Sequence, residues 1–267
     1  MDLQSALLGR AQGRWLPAGN GESGDAVYRR NDGLAYAKLV PATRIRELAG
    51  ERDRLAWLRG RDIACPEVVD WLDTGDGACL VMTAIPGIPA VDLSGAELLR
   101  AWPSMARSLA AIHRLPADQC PFERGLTSMF RRAVDVVSRD AVNPDFLPDD
   151  DKDRPAAELL ARVERDMPTR LHQEAADWVV CHGDPCLPNF LVDPDSLQCT
   201  GLIDLGRLGT ADRYADLALM VANAEESWTT ADQAGDAFAA LFASLEIATP
   251  DRDRLAFYLR LDPLTWG

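Results

Sequence analysis

The stretch Val179-Val180-Cys181-His182-Gly183-Asp184-Pro185-Cys186-Leu187-Pro188-Asn189-Phe190-Leu191-Val192 decides the reading of this chain. Apolar runs at either end read as short strands. Between them lies a loop carrying His182, Asp184 and Asn189, with the asparagine five positions after the aspartate. Fourteen residues beyond Phe190 an apolar run, Gly201-Leu202-Ile203, delivers a second aspartate, Asp204, followed by Leu205 and Gly206. A carboxylate that can orient and deprotonate a hydroxyl, beside oxygen donors that can hold magnesium, is the minimum that phosphoryl transfer asks of a protein.

The spacing of His182, Asp184 and Asn189 matches the H-R-D-x-x-x-x-N loop of protein kinases, with glycine in place of arginine. Asp204-Leu205-Gly206 stands where those enzymes carry D-F-G. Asp204 is then a second magnesium ligand beside Asn189. Working toward the N-terminus, Lys38 sits in the apolar run Ala35-Tyr36-Ala37-Lys38-Leu39-Val40. A lysine among such neighbours is costly unless paired. Glu51, on the next predicted helix, is the expected partner, which leaves the ammonium to grip nucleotide phosphates. Gly19-Asn20-Gly21-Glu22-Ser23-Gly24 fits G-x-G-x-x-G, a pattern shared by dinucleotide folds and kinases. A dinucleotide site needs a helix directly afterwards. Here Ala26-Val27-Tyr28-Arg29-Arg30, the turn Asn31-Asp32-Gly33 and a second strand form a hairpin. A glycine-rich strand-turn-strand over phosphates fits better.

The rest of the chain sorts into two textures. Residues 1–85 read as short strands and turns with one helix, over 48–58, and a buried strand at Ala78-Cys79-Leu80-Val81-Met82. Pro86-Gly87-Ile88-Pro89 continues neither element and reads as a hinge. Residues from about 91 onward read mainly as helices, interrupted by a strand-rich patch at 178–205. Ser94 and Glu97 have capping-box spacing, with Leu93 and Leu98 as the staple. Apolar positions at 98, 102, 105, 109 and 112 mark one helical face, ending at His113, read as a satisfied packing histidine. The acidic segment 143–154 reads as a solvated connection.

Bulk properties exclude several classes. The net charge of −14 argues against nucleic acid or an anionic membrane as partner and suits a cationic ligand. No apolar run nears the roughly 20 residues that span a bilayer. Met1-Asp2-Leu3-Gln4-Ser5 lacks the basic start of a signal peptide, so a cytoplasmic location is expected. The six cysteines form no C-x-x-C pair and are expected as reduced thiols.

Together, His182-Gly183-Asp184 with Asn189 and Ile203-Asp204-Leu205-Gly206-Arg207, running on to Tyr214-Ala215-Asp216-Leu217-Ala218, resemble the aminoglycoside phosphotransferase family. That resemblance implies an α+β, protein-kinase-like two-lobed fold. A small β-rich N-lobe (1–85) would bind nucleotide, and a larger helical C-lobe (86–267) would bind the acceptor. It implies ATP and Mg2+ as cofactors and antibiotic resistance as the outcome. Trp102-Pro103-Ser104, Cys120-Pro121-Phe122-Glu123-Arg124, Ala141-Val142-Asn143-Pro144-Asp145-Phe146-Leu147-Pro148 and the end, Leu259-Arg260-Leu261-Asp262-Pro263-Leu264-Thr265-Trp266, are most similar to members that phosphorylate the 3''-hydroxyl of streptomycin. By resemblance, Asp184 is the catalytic aspartate and Asn189 and Asp204 hold magnesium. Lys38, paired to Glu51, holds the α- and β-phosphates, with Ser23 and Gly24 over the β- and γ-phosphates. Tyr36 stacks on adenine, and the backbone around Thr83 and Ile85 meets its edge. Glu225, Glu226 and Asp262 receive amino or guanidino groups. His182 holds the loop in shape, and Asp216 caps or braces the helix that begins near it. The rival readings are a same-fold kinase of choline, methylthioribose or homoserine, a silent binding module, and a nicotinamide dehydrogenase.

Overall fold

The computed structural model describes residues 3–9, 11, 13–20 and 25–267. A short helix α1 (Leu3–Leu8) precedes the strands β1 (Trp15–Asn20), β2 (Ala26–Arg30) and β3 (Ala35–Pro41). The turn between β2 and β3 closes as its residues demand. Gly33 takes φ +75, its N–H meets the Arg30 carbonyl at 2.8 Å, and the Asp32 carboxylate accepts from Leu34 N–H at 2.9 Å. Helix α2 (Ile45–Leu58) follows, then β4 (Val68–Asp73) and β5 (Gly77–Thr83). The five strands form one antiparallel sheet in the order β1-β2-β3-β5-β4.

Alternation along β3 gives the sheet two different faces. Ala35, Ala37 and Leu39 join Tyr28, Cys79 and Val81 in a small core closed by Leu8, Ala11 and Trp15. The N-terminal segment therefore supplies a second helix to this lobe, where the sequence suggested one. Tyr36 and Lys38 point to the opposite face, where α2 lies. On α2 the buried positions are Leu48, Glu51, Leu55 and Leu58, one helical stripe with a carboxylate set into it.

Residues 86–89 are more than a hinge. Ile88–Pro89 forms strand β6, which pairs with Leu191 and Val192 and makes the edge of a three-stranded sheet. Gly87 is required there: at φ +125, a Cβ would stand 2.8 Å from the Val192 carbonyl oxygen. Helix α3 (Gly95–His113) starts at the expected capping box, with Ser94 Oγ accepting from Glu97 N–H and the Glu97 carboxylate accepting from Ser94 N–H. Its apolar face, Leu98, Trp102, Met105, Leu109 and Ile112, lies in the main core.

Helices α4 (Leu126–Ser138) and α5 (Ala156–Glu174) follow. The segment between them is not simply solvated. It makes two 3-10 turns, buries Leu147 and Asp151, and ties Asp151 to Arg154 and Arg162 at 3.1 and 2.8 Å. Next come β7 (Trp178–Cys181), β8 (Phe190–Val192), β9 (Cys199–Leu202) and β10 (Gly209–Asp212). β8 lies between β6 and β9, and β10 pairs with β7. Helices α6 (Arg213–Asn223), α7 (Ala231–Ser244) and α8 (Arg252–Leu261) complete the chain, with α7 against α3 and α8 against α6. No helix among the described residues is long and apolar enough to cross a membrane.

Candidate active site

Lys38 is the meeting point of the two lobes. Its Nζ lies 3.0 Å from Glu51 on α2, 3.3 Å from Asp204 in the loop after β9, and 3.4 Å from Asp25 at the start of β2. Burial opposes the ammonium charge. The carboxylates of Glu51, Asp204 and Asp25 outweigh it and hold the Lys38 pKa above the ordinary lysine value, so the residue is cationic at neutral pH. Glu51 is only 5% exposed and Asp25 only 3%. Asp25 also pairs with Arg44. Sequence reasoning missed Asp25, whose signal was faint: one acidic residue entering an apolar strand.

The loop that carries Asp184 and Asn189 is built by the strand pairs around it. β7 ends at Cys181, and β8 begins at Phe190 after a 3-10 turn that contains Asn189. Gly183 has φ +89, and a Cβ there would sit 2.2 Å from the Arg207 carbonyl oxygen. That close approach explains the glycine. Gly183→Ala is expected to cost about 2–4 kcal/mol from left-handed strain and overpacking, read as a lowered unfolding midpoint. His182 Nδ1 accepts from Asp184 N–H at 3.2 Å, while Nε2 donates to the Ile203 carbonyl at 3.1 Å. These bonds define a neutral imidazole, and burial holds its pKa below the usual histidine value. His182 links the Asp184 loop to the residue preceding Asp204.

Asn189 Nδ2 donates to the Asp184 carbonyl at 2.8 Å, and Ile203 N–H donates to the Asn189 carbonyl at 3.0 Å. The amide is thereby oriented, with Oδ1 left as an acceptor. Asp204 takes a left-handed backbone, φ 57 and ψ 55, and leaves its side chain 42% exposed with Oδ1 on Lys38. An amide oxygen and a carboxylate oxygen are the hard donors magnesium prefers, so Asn189 and Asp204 fit that ion.

Asp216 anchors this loop. The sequence suggested a brace for its own helix. That role belongs to Asp212, the α6 N-cap, whose carboxylate accepts from Tyr214 N–H at 2.9 Å. The fully buried Asp216 carboxylate instead accepts from His182 N–H at 2.7 Å, Gly183 N–H at 2.8 Å and His113 Nε2 at 2.9 Å. His113 is thus a buried packing histidine with its Nε2 satisfied, as the sequence suggested. Burial would raise the Asp216 pKa, but His113 and the Gly183 N–H outweigh it and hold it below the usual carboxylate range. A carboxylate set among the buried Ala215, Leu217 and Ala218 was the available signal.

The remaining expected residues fall as follows. Ser23 and Gly24 lie outside the described residues; the segment that holds them joins β1 to β2, since Asn20 pairs with Ala26. Tyr36 pairs with Met82 and shares the Lys38 face. Thr83 N–H is taken by the Glu67 carbonyl, and the next N–H, of Ala84, by the Leu34 carbonyl. Glu225 and Glu226 are exposed on the turn after α6. That turn borders the Asp184 loop, because Asn223 Oδ1 accepts from Leu187 N–H at 2.6 Å. Asp262 is buried. Its carboxylate accepts from Arg124 at 3.0 Å, Arg207 at 3.1 Å and the Trp266 indole at 3.0 Å. Arg207 lies over the Trp266 ring at 4.1 Å and feels the charge of Asp184.

A β-rich lobe offering a paired lysine, a helical lobe offering a loop aspartate, and oxygen donors between them define a phosphotransferase of the protein-kinase architecture. Comparison with known proteins agrees. The model of the phosphotransferase enzyme family APH matches residues 14–258, and the chain belongs to that family. It is 51% identical to the streptomycin 3''-kinase of Streptomyces griseus, over 96% of this chain and 93% of that protein. It is 35% identical to an aminoglycoside 3'-phosphotransferase of Streptomyces fradiae, over 93% of this chain and 94% of the relative. Among solved structures, the aminoglycoside phosphotransferase APH(3'')-Id of Streptomyces rimosus superposes with a TM-score of 0.93 at 49% identity, covering both chains fully. The same protein in complex with ADP and streptomycin gives 0.92 at 48%, again over the whole of both chains.

Proposed function

We propose that this chain transfers the γ-phosphoryl group of ATP to the 3''-hydroxyl of streptomycin, in the cytoplasm, and so inactivates the antibiotic. The observation that carries the reading is the full-length match to a protein solved with ADP and streptomycin, on a chain that keeps Lys38, Glu51, Asp184, Asn189 and Asp204 together.

In this reading residues 1–85 bind the nucleotide and residues 86–267 bind the acceptor. Adenine lies against Tyr36 with its edge on the backbone near Thr83 and Ile85, and the segment containing Ser23 and Gly24 covers the β- and γ-phosphates. Lys38, kept charged by its carboxylates, holds the α- and β-phosphates. Asn189 and Asp204 would hold Mg2+, which when bound neutralises charge on the phosphate oxygens. Asp184 orients the acceptor hydroxyl in line with the γ-phosphorus and takes its proton. The oxygen–phosphorus bond forms as the bond to the bridging β,γ-oxygen breaks, and ADP leaves.

Streptomycin carries two guanidino groups. The exposed Glu225 and Glu226 beside the catalytic loop are suited to accept from them through paired, charge-assisted bonds. Asp262 keeps its internal partners Arg124, Arg207 and Trp266. Glu226→Gln is expected to raise the streptomycin KM about 10- to 100-fold, the worth of one charged hydrogen bond, with the ATP KM unchanged. A coupled ADP-release assay tests the assignment. Release should follow streptomycin and not choline, methylthioribose or homoserine; release with one of those and not with streptomycin would overturn it.

A further inference from the structure

Lys38 can touch both Glu51 and Asp204 only if α2 is held at a fixed distance from the turn that follows Asp204. These two carboxylates lie on different lobes, so the separation must be set by something bridging them. The side chain of Arg54, one turn beyond Glu51, spans that gap. Its Nε donates to the Leu208 carbonyl at 2.6 Å, and its Nη1 donates to the Gly50 carbonyl at 2.9 Å. Gly50 precedes Glu51. Leu208 closes the 3-10 turn that Asp204 begins, with its N–H on the Leu205 carbonyl at 3.1 Å. The guanidinium lies over the Phe122 ring at 4.6 Å, and Phe122 accepts from Thr210 N–H at 2.8 Å, so the arginine is held from the helical lobe as well. The surfaces it joins are already close: a Cβ on Gly206 would lie 3.6 Å from Glu51 Cβ.

We infer that Arg54 is a positioning residue for the magnesium–nucleotide site, a fork that locks Glu51 and Asp204 in register around Lys38 before any ligand arrives. A planar guanidinium can hold two carbonyls at once in a fixed geometry; an ammonium on a flexible stem cannot. The inference rests on the nucleotide reading above but not on the identity of the acceptor. It requires that loosening Arg54 weaken the response to Mg2+ and nucleotide specifically, beyond any loss of stability.

A control is available on the same helix. Trp57 also joins α2 to the helical lobe, through Nε1 to the Gln119 carbonyl at 3.1 Å and by its ring edge-on to Phe122; Trp57→Phe removes that hydrogen bond and keeps an aromatic ring beside Phe122. The experiment compares wild type, Arg54→Met, Arg54→Lys and Trp57→Phe by calorimetric titration of ADP with and without Mg2+, by steady-state kinetics and by thermal unfolding. For Arg54→Met the expected result is a Mg2+ requirement for ADP binding raised at least fivefold and a kcat lowered at least tenfold. The streptomycin KM stays within twofold, and Trp57→Phe loses stability with the Mg2+ requirement unchanged. Arg54→Lys keeps charge and stem, so it preserves the fold, and it should fall between the two. Were Arg54→Lys and any folded Arg54→Met to bind ADP with the wild-type Mg2+ requirement, the inference would be overturned. A wild-type protein whose ADP binding ignores Mg2+ would instead overturn the reading of the site itself.

Discussion

Asp184→Asn lowers kcat by about three orders of magnitude, within the range lost when a positioned proton acceptor is removed, while ADP affinity stays within twofold of wild type. The two halves of this expectation have separate causes. The backbone of residue 184 is held by its own N–H on His182 Nδ1 and by its carbonyl under the Asn189 amide, and neither bond involves the carboxylate. An asparagine therefore leaves the loop and the Asn189 amide where they are. What disappears is the anion to which the proposed reaction assigns orienting the acceptor hydroxyl and taking its proton. The nucleotide contacts proposed for Lys38 depend on Glu51, Asp204 and Asp25, not on the Asp184 carboxylate, and are expected to be untouched. Single-turnover kinetics together with calorimetric ADP titration measure the two halves; kcat within tenfold of wild type would remove Asp184 from the chemistry.

The second large effect is structural. Asp216→Ala strips one buried acceptor from three donors: the N–H groups of His182 and Gly183 and the His113 ring. Two backbone donors are left unpaired in a site with no exposure, at about 1–3 kcal/mol each, for a total near 3–5 kcal/mol. The unfolding midpoint is expected to fall by roughly 10 °C for a chain of this size. The sign of the pH dependence follows from the same bonds. The folded-state pKa of Asp216 lies below its unfolded value, so this carboxylate stabilises the fold fully above the usual carboxylate range. That contribution is lost as the pH drops through the folded value. Asp216→Asn, which cannot titrate, should show a flatter stability curve on the acid side of about pH 4, and differential scanning calorimetry across that interval would reveal it.

Much of this architecture is legible in the residues because it depends on local chemistry. The hairpin at Asn31-Asp32-Gly33, the capping box at Ser94 and the apolar face of α3 are set by neighbours three or four positions away, and the structure reproduces each. The Lys38–Glu51 pair was readable because a charged residue in an apolar run demands a partner, and α2 supplies it. What escaped depends on distant partners. The destination of the Asp216 carboxylate is set by the path of a loop thirty-three residues earlier in the chain. Ile88 and Pro89 look like a linker until Val192 and Leu191 arrive to pair with them. Asp262 is given by resemblance as a receiver of amino or guanidino groups, and nothing beside it in the chain announces that Arg124, 138 residues earlier, joins it in a buried ion pair. Such contacts carry no local period or turn chemistry that could announce them.

The product of the proposed reaction can be inspected directly. Streptomycin incubated with the protein, ATP and Mg2+ should gain one phosphate ester, with phosphorus–proton correlation NMR placing it on the 3''-oxygen and one ADP formed per ester. An unmodified antibiotic, or an ester on a different hydroxyl, contradicts the account.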